Sequence, residues 1–228
     1  MTGPSPSVAR VRLDEIHAHT IKRSATWRAL EVGTLREEHY AGLLREWYHY
    51  TQHSGGVLEG ALLPHLVPEH RALVQGILRH GLEEEAHYRL CENDLANMGR
   101  DREALRGSRP LPLTEALGAV VYARMQHGDA LIAYFGHRLN LEHLGASLGT
   151  EAVARFGRAM PGAASNWFSF LRAHAAADDD HVEEALATFA RCRPGPDAFE
   201  RMLEMAATSA TLYAAMLDGA LQAPWPLR

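Results

Sequence analysis

The sequence predicts an all-α protein, a helical bundle of seven or more helices, on three observations. Apolar residues recur at three- and four-residue spacing along most of the 228 positions. No stretch of useful length alternates as a half-buried strand would. Glycine and proline fall at intervals that suit helix ends, and neither an internal repeat nor a low-complexity segment interrupts the pattern.

Residues 1–10, which include Gly3, Pro4 and Pro6, read as a disordered N-terminal tail. Helical periodicity runs from near Val11 to about Leu30 and breaks at Gly33. Thr34, with Glu37 three residues later, matches a capping box that opens the next helix. In that helix Tyr40, Leu43, Leu44, Trp47 and Tyr48 make an apolar stripe, and Gly55 and Gly56 end it. A short helix from Val57 to Leu63 precedes Pro64 and Pro68. A long one is expected from about Glu69 to Met98, closed by Gly99. Asp101 to Pro112 is a polar connection. Thr114 opens a helix that breaks near Gly128, and the apolar run that follows bends at Gly145 and Gly149 ahead of a short helix from Glu151 to Arg158. Pro161 starts the next helix, RPGPD at 193–197 stops it, and the last covers about Ala198 to Leu221. Residues 11–222 are thus expected to form a single domain, with a C-terminal tail at 223–228.

Composition narrows the function. With 46% hydrophobic residues the chain can bury one sizeable core. Its formal charge of −5 offers no basic field for a phosphate backbone, so nucleic acid is not expected as a partner. A small molecule or another protein is expected instead. No apolar run reaches the ~18 residues that cross a bilayer, and the start lacks the apolar segment of a signal peptide, so no membrane partner and a cytoplasmic location are expected. The cysteines, Cys91 and Cys192, form no CxxC pair, which argues against a structural metal held by sulfur.

Chemistry concentrates in three helical stretches. On a helix, His174, Asp178 and His181 fall within a sector of roughly 60°, which puts two imidazoles and a carboxylate on one face. Glu84 and His87, three residues apart, make a second chelating pair, with His80 and Cys91 on the same face as candidates for its surroundings. Glu142 follows an apolar run with Arg138 one turn before it, and a buried acid needs such a partner. Three carboxylates and three imidazoles suit two iron or manganese ions better than calcium, which takes oxygens only, or a structural zinc, which usually takes thiolates. Trp167, Phe170 and Phe135 lie on or near the ligand faces, as an aromatic wall or as ordinary core. Arg138 is placed either to pair with Glu142 or to meet a substrate carboxylate.

In these motifs the sequence resembles the heme-oxygenase-like diiron oxidases and oxygenases, also described as iron-containing redox enzymes. The matching features are the EExxH-type segment of Glu83, Glu84, Glu85, Ala86 and His87 ending a dozen residues later in Gly99, the single Glu142, and the HxxxDxxH of His174, Asp178 and His181. The segment WRALEVGTLREEHYAGLLREWYHY is similar to the opening of heme oxygenases, which share the fold. The resemblance implies a heme-oxygenase-like bundle in which Glu84, His87 and His174 hold one Fe(II), and Asp178 and His181 the other, with Glu142 bridging or completing the second. Glu59 is an extra carboxylate near the long helix. It also implies dioxygen as co-substrate and oxidation of a small amino-acid- or fatty-acid-like metabolite by N-oxygenation, desaturation, carbon–carbon cleavage or decarboxylation. A homodimer and an external reductase or reductant are left open. Two other readings stand beside it: a true heme oxygenase with His17 or His19 as axial ligand, and a non-catalytic helical binding protein on the same scaffold.

Overall fold

The protein is described by a computed structural model covering residues 6–54, 56–191 and 197–225, with the side chains of residues 72 and 177–180 outside the described set. Its secondary structure is helical throughout, with no strand among the described residues. In chain order the helices are α1 (Pro6–His19), α2 (Ala25–Glu31), α3 (Glu37–Ser54), α4 (Val57–Leu62), α5 (Arg71–Glu84), α6 (Tyr88–Asn97), α7 (Arg102–Arg106), α8 (Pro112–His127), α9 (Ala130–Ala159), α10 (Ser169–Arg191) and α11 (Ala198–Gln222).

Several boundaries depart from those the sequence suggests. Helix α1 starts at Pro6, inside the stretch read as a tail, because Ala9 and Leu13 are buried against the bundle and hold it down. The first helical stretch is divided: a 3₁₀ turn at Ile21–Arg23 leads to Ser24, whose hydroxyl accepts from the Trp27 amide and caps α2. Asp218 of α11 adds acceptors for the free amides of Ala25 and Thr26. The expected capping box does not form, since the Thr34 hydroxyl bonds back to the Ala29 carbonyl and α3 begins at Glu37. The 101–112 connection contains α7, capped by Asp101, and α10 starts at Ser169 rather than at Pro161. There Asp94 of α6 takes the amides of both Ser169 and Phe170 and so supplies the cap from another helix.

The two largest departures bear on the site. The long helix expected over 69–98 is interrupted at Glu85–His87, where the bonds shorten to i→i+3 spacing, His87 amide to Glu84 carbonyl and Leu90 amide to His87 carbonyl. In contrast α9 runs unbroken through Gly145 and Gly149. Gly149 serves close packing: a Cβ there would stand 2.8 Å from the Ala175 Cβ of α10. Gly136 does the same against α11, where a Cβ would lie 2.5 Å from the Met202 carbonyl oxygen. Because backbone cannot yield as a side-chain tip can, Gly136→Ala is expected to destabilise the fold by about 1–3 kcal/mol. A urea unfolding curve unchanged from the parent would contradict this close approach.

Packing divides into two apolar clusters with a polar belt between them. Along α9, Ile132, Phe135 and Leu139 belong to one cluster and Leu148, Ala152 and Phe156 to the other. The intervening turns carry His137, Arg138, Asn140, Glu142 and His143, all buried. Helix α11 crosses the same way, from Met202 and Met205 through Ser209 to Tyr213 and Leu217. Helix α10 passes from Phe170 to Val182 and Leu186, with His174 and His181 between. Buried polar groups are costly unless partnered, and the belt is where the chain concentrates them.

Candidate metal centre

Two groups of three potential ligands lie side by side in this belt: Glu84, His87 and His174, and His80, Glu83 and His181. Within each group one ligand atom per residue lies within 4.8 Å of the others. The first is the triad expected from the sequence. His87 Nδ1 is 2.7 Å from Glu84 Oε2, His174 Nε2 is 4.0 Å from the same oxygen, and the two imidazole rings meet edge to face at 4.7 Å. The 3₁₀ turn at Glu85–His87 brings Glu84 and His87 to this contact from the ends of two helices.

Electrostatics prepares the triad for a cation. The Nδ1 of His174 bonds the Phe170 carbonyl at 2.8 Å, and a ring nitrogen facing a carbonyl must carry the proton, so Nε2 presents its lone pair toward Glu84. Burial also lowers the His174 pKa, which favours the neutral ligand form. Burial pushes Glu84 upward, but the hydrogen bond and charge of His87 with the charge of His174 outweigh it and hold this carboxyl below its ordinary value.

Glu142, outside the second group, bridges two of its members. Its Oε2 is 3.1 Å from His181 Nδ1, and its Oε1 is 3.3 Å from both His80 Nε2 and Arg138 Nε. The hydrogen bond to Glu142 raises the His181 pKa against the opposing effect of burial. Glu83 approaches His181 Nε2 from the exposed side at 3.7 Å. Glu59 is buried behind His80 at 3.8 Å and accepts the Tyr134 hydroxyl at 2.8 Å. Desolvation raises its pKa. Asp178 sits on α10 between the two histidines, with its side chain outside the described residues.

The structure thus brings Glu84, His87, Glu142, His174 and His181 together and adds two residues that sequence reasoning underused. The sequence puts His80 only in the surroundings of the Glu84–His87 pair and Glu83 only within the EExxH-type segment. Their signal was the HGLEEE spacing, which puts His80 one turn before Glu83 and Glu84. Cys91, expected nearby, instead lies fully buried in the apolar core of α6 and does not line the cavity.

An apolar cavity of about 170 Å³ opens beside the ligands. Trp27, Trp47, Leu144, Leu148, Phe156 and Phe170 form much of its wall, and Glu59, His80, Glu84, Glu142 and His174 reach one part of it. Of the expected aromatic residues only Phe170 lines it. Phe135 packs against Tyr134 and Phe189 in the other cluster, and the Trp167 indole donates to the Asn97 carbonyl. Arg138 lines the cavity with its charge already matched by Glu142 and, at 3.9 Å, Glu184. Neither candidate heme ligand reaches it. His17 bonds Asn140 and stacks on His143, and His19 turns back to the Glu15 carbonyl.

An all-helical bundle with a carboxylate and imidazole cluster in its polar belt belongs to the class of helical proteins with side chains that could hold a metal ion. The chain belongs to the family of iron-containing redox enzymes, whose model matches residues 41–214. Its fold is heme-oxygenase-like. A protein of unknown function with that fold from Shewanella denitrificans superposes with a TM-score of 0.77 at 22% identity, over 95% of this chain and 90% of the other. A TenA homolog from Pseudomonas syringae pv. tomato gives 0.72 at 16% identity, over 95% and 89%. A CADD-like protein of unknown function from Nostoc punctiforme gives 0.71 at 15%, over 97% and 99%. At these identities the likeness concerns the fold alone. No curated protein matches the chain. Among the described residues no helix is long and apolar enough to cross a membrane.

Proposed function

We propose that this chain is a non-heme diiron oxidase or oxygenase that uses dioxygen to oxidise a small, largely apolar metabolite. The observation that carries the reading is the pair of adjacent carboxylate and imidazole triads beside an apolar cavity. One ion is assigned to Glu84, His87 and His174. The other is assigned to His181 and Glu142, with Asp178, His80 and Glu83 as further ligands. The donor set is nitrogen and oxygen without thiolate, which suits iron or manganese. His80 Nδ1 and Glu59 Oε2 are buried without a hydrogen-bond partner among the described residues, as expected of a site whose full complement includes a cation.

When bound, ferrous ions supply the electrons and open coordination positions that dioxygen reduction requires. The protein contributes position and exclusion of water. Phe170 packs against the His174 ring at 4.3 Å and shields it. Arg138 offsets part of the carboxylate charge, so the acids can stand together before cations arrive. The apolar wall selects substrates by shape, and the carboxylates at one end favour a cation-assisted approach over an unassisted anion.

Reduction of dioxygen to water takes four electrons, of which a two-electron oxidation of substrate supplies half. An external reductase or reductant is therefore part of the proposal, as is a cytoplasmic setting. Iron-loaded protein is expected to consume oxygen when the right amino-acid- or fatty-acid-like compound is added with reductant. Consumption that persists undiminished after complete metal removal would overturn the assignment.

A further inference from the structure

Five buried polar side chains from four helices form one hydrogen-bonded chain that belongs to neither triad. His17 Nε2 on α1 meets Asn140 Oδ1 on α9 at 3.0 Å, and Asn140 Nδ2 donates to Ser209 Oγ on α11 at 3.0 Å. Ser209 Oγ lies 2.7 Å from His137 Nδ1, and His137 Nε2 lies 2.5 Å from the Tyr50 hydroxyl on α3. None of the five is more than 5% exposed. The chain ends at the cavity, which both His137 and Tyr50 line. The Tyr50 ring is held edge-on to His137 and Tyr213, with centroids 6.0 and 6.1 Å away.

The direction of the protons along this chain follows from donor chemistry. An amide nitrogen donates only, so Ser209 accepts from Asn140. The Ser209 hydroxyl then has one proton of its own to place, and among the described residues the acceptor in reach is His137 Nδ1. Burial holds His137 neutral, its pKa lowered to about 4. A neutral imidazole that accepts at Nδ1 carries its proton on Nε2, where it donates to the Tyr50 oxygen. Tyr50 keeps its own proton, because desolvation pushes the phenol well above its ordinary range. With the oxygen engaged by His137, that proton lies on the cavity side, where the Ser54 hydroxyl is the neighbouring group that a substrate oxygen would replace as its acceptor.

We propose that Tyr50 is a fixed hydrogen-bond donor to the substrate, taking a carbonyl-type oxygen on a small apolar molecule, and that His137 and Ser209 are positioning residues that aim it. The cavity of about 170 Å³ compares with an apolar cavity of about 150 Å³ that holds benzene, so the apolar body is close to a phenyl ring in size. The substrate role rests on the oxidase reading, whereas the donor geometry needs no metal. A neutral carbonyl compound is the suitable probe of the metal-free chain, because Glu59 and Glu84 beside the cavity would oppose an anion there.

Two measurements on the full-length, metal-free chain test this. In ¹⁵N-histidine spectra, His137 is expected as the Nε2–H tautomer, changing to Nδ1–H in Ser209→Ala. In calorimetric titration with 4-phenylbutan-2-one, Tyr50→Phe and Ser209→Ala are each expected to bind about tenfold more weakly than the parent. A role in packing alone would leave that affinity unmoved. A parental Nδ1–H tautomer, no saturable parental binding at millimolar probe, or a loss below about threefold in Tyr50→Phe would overturn the proposal. If Ser209→Ala fails to fold, the parental tautomer and Tyr50→Phe still decide it. A parallel ferrous titration separates the two readings, because failure to bind iron counts against the oxidase and leaves the donor result to stand or fall by itself.

Discussion

Replacing His174 by alanine is expected to cut affinity for the first ferrous ion by more than about a hundredfold and to abolish oxygen consumption. Loss of a residue that merely supports a metal ligand typically costs 10–100-fold. His174 contributes more than support, since its Nε2 faces Glu84 Oε2 while Nδ1 is committed to the Phe170 carbonyl. No neighbouring nitrogen can substitute, because His87 is already part of the same triad. His143→Ala is the matched control. That side chain pairs with Asp14 at 2.8 Å and stacks on His17, away from the cavity wall, so iron binding should be nearly unaffected. Equal losses in the two variants, read by ferrous titration and an oxygen electrode, would mean that neither acts through a metal.

The metal-free protein is also expected to lose stability as the pH falls below neutrality. Burial lowers the pKa of both His17 and His137 from 6.5 to about 4. For a group depressed in the folded state, stability is fully present above the unfolded value and is lost as pH falls toward the folded one. Each histidine accounts for about 3 kcal/mol over the window from pH 6.5 to 4. Asp94 acts in the opposite sense. Desolvation raises its pKa from 3.8 to about 6 despite the bonds from Ser169 and Phe170, so its contribution is present below 3.8 and lost as pH rises through 6. Burial also lowers the His80 pKa, to about 3, which acts in the same sense as His17 and His137, so three histidines against one acid leave a net loss of stability on acidification. Urea midpoints at pH 7.5 and 5.0 should show a lower value at pH 5.0, and the difference should shrink in His137→Gln. Identical midpoints at the two pH values would contradict neutral burial of these rings.

The sequence exposed ligand spacing more clearly than it exposed helix geometry. Glu84 with His87, and His174 with His181, are legible because three- and seven-residue separations fix a shared face once a helix is assumed. The break at Glu85–His87 was not legible. Nothing in EEEAH forbids a continuous helix, and the segment contains no glycine or proline to mark the turn. Gly145 and Gly149 misled in the opposite direction. A glycine that marks a bend and one that admits a neighbouring helix look alike until the neighbour is known, and at Gly149 the neighbour is Ala175. The chain from His17 to Tyr50 was hidden for a related reason, since its members come from four helices far apart in sequence and only His137 and Asn140 share a helical spacing. By sequence His17 is only a candidate heme ligand, and its bond to Asn140 instead makes it one end of a buried network.

Anaerobic ferrous titration with metal quantitation tests the central claim most directly. Two adjacent sets of ligands predict two ferrous ions per chain and a rise in thermal stability on loading, with Glu84→Ala losing the first ion. Parent protein that binds no iron, or that gains no thermal stability from it, would contradict the account at its base.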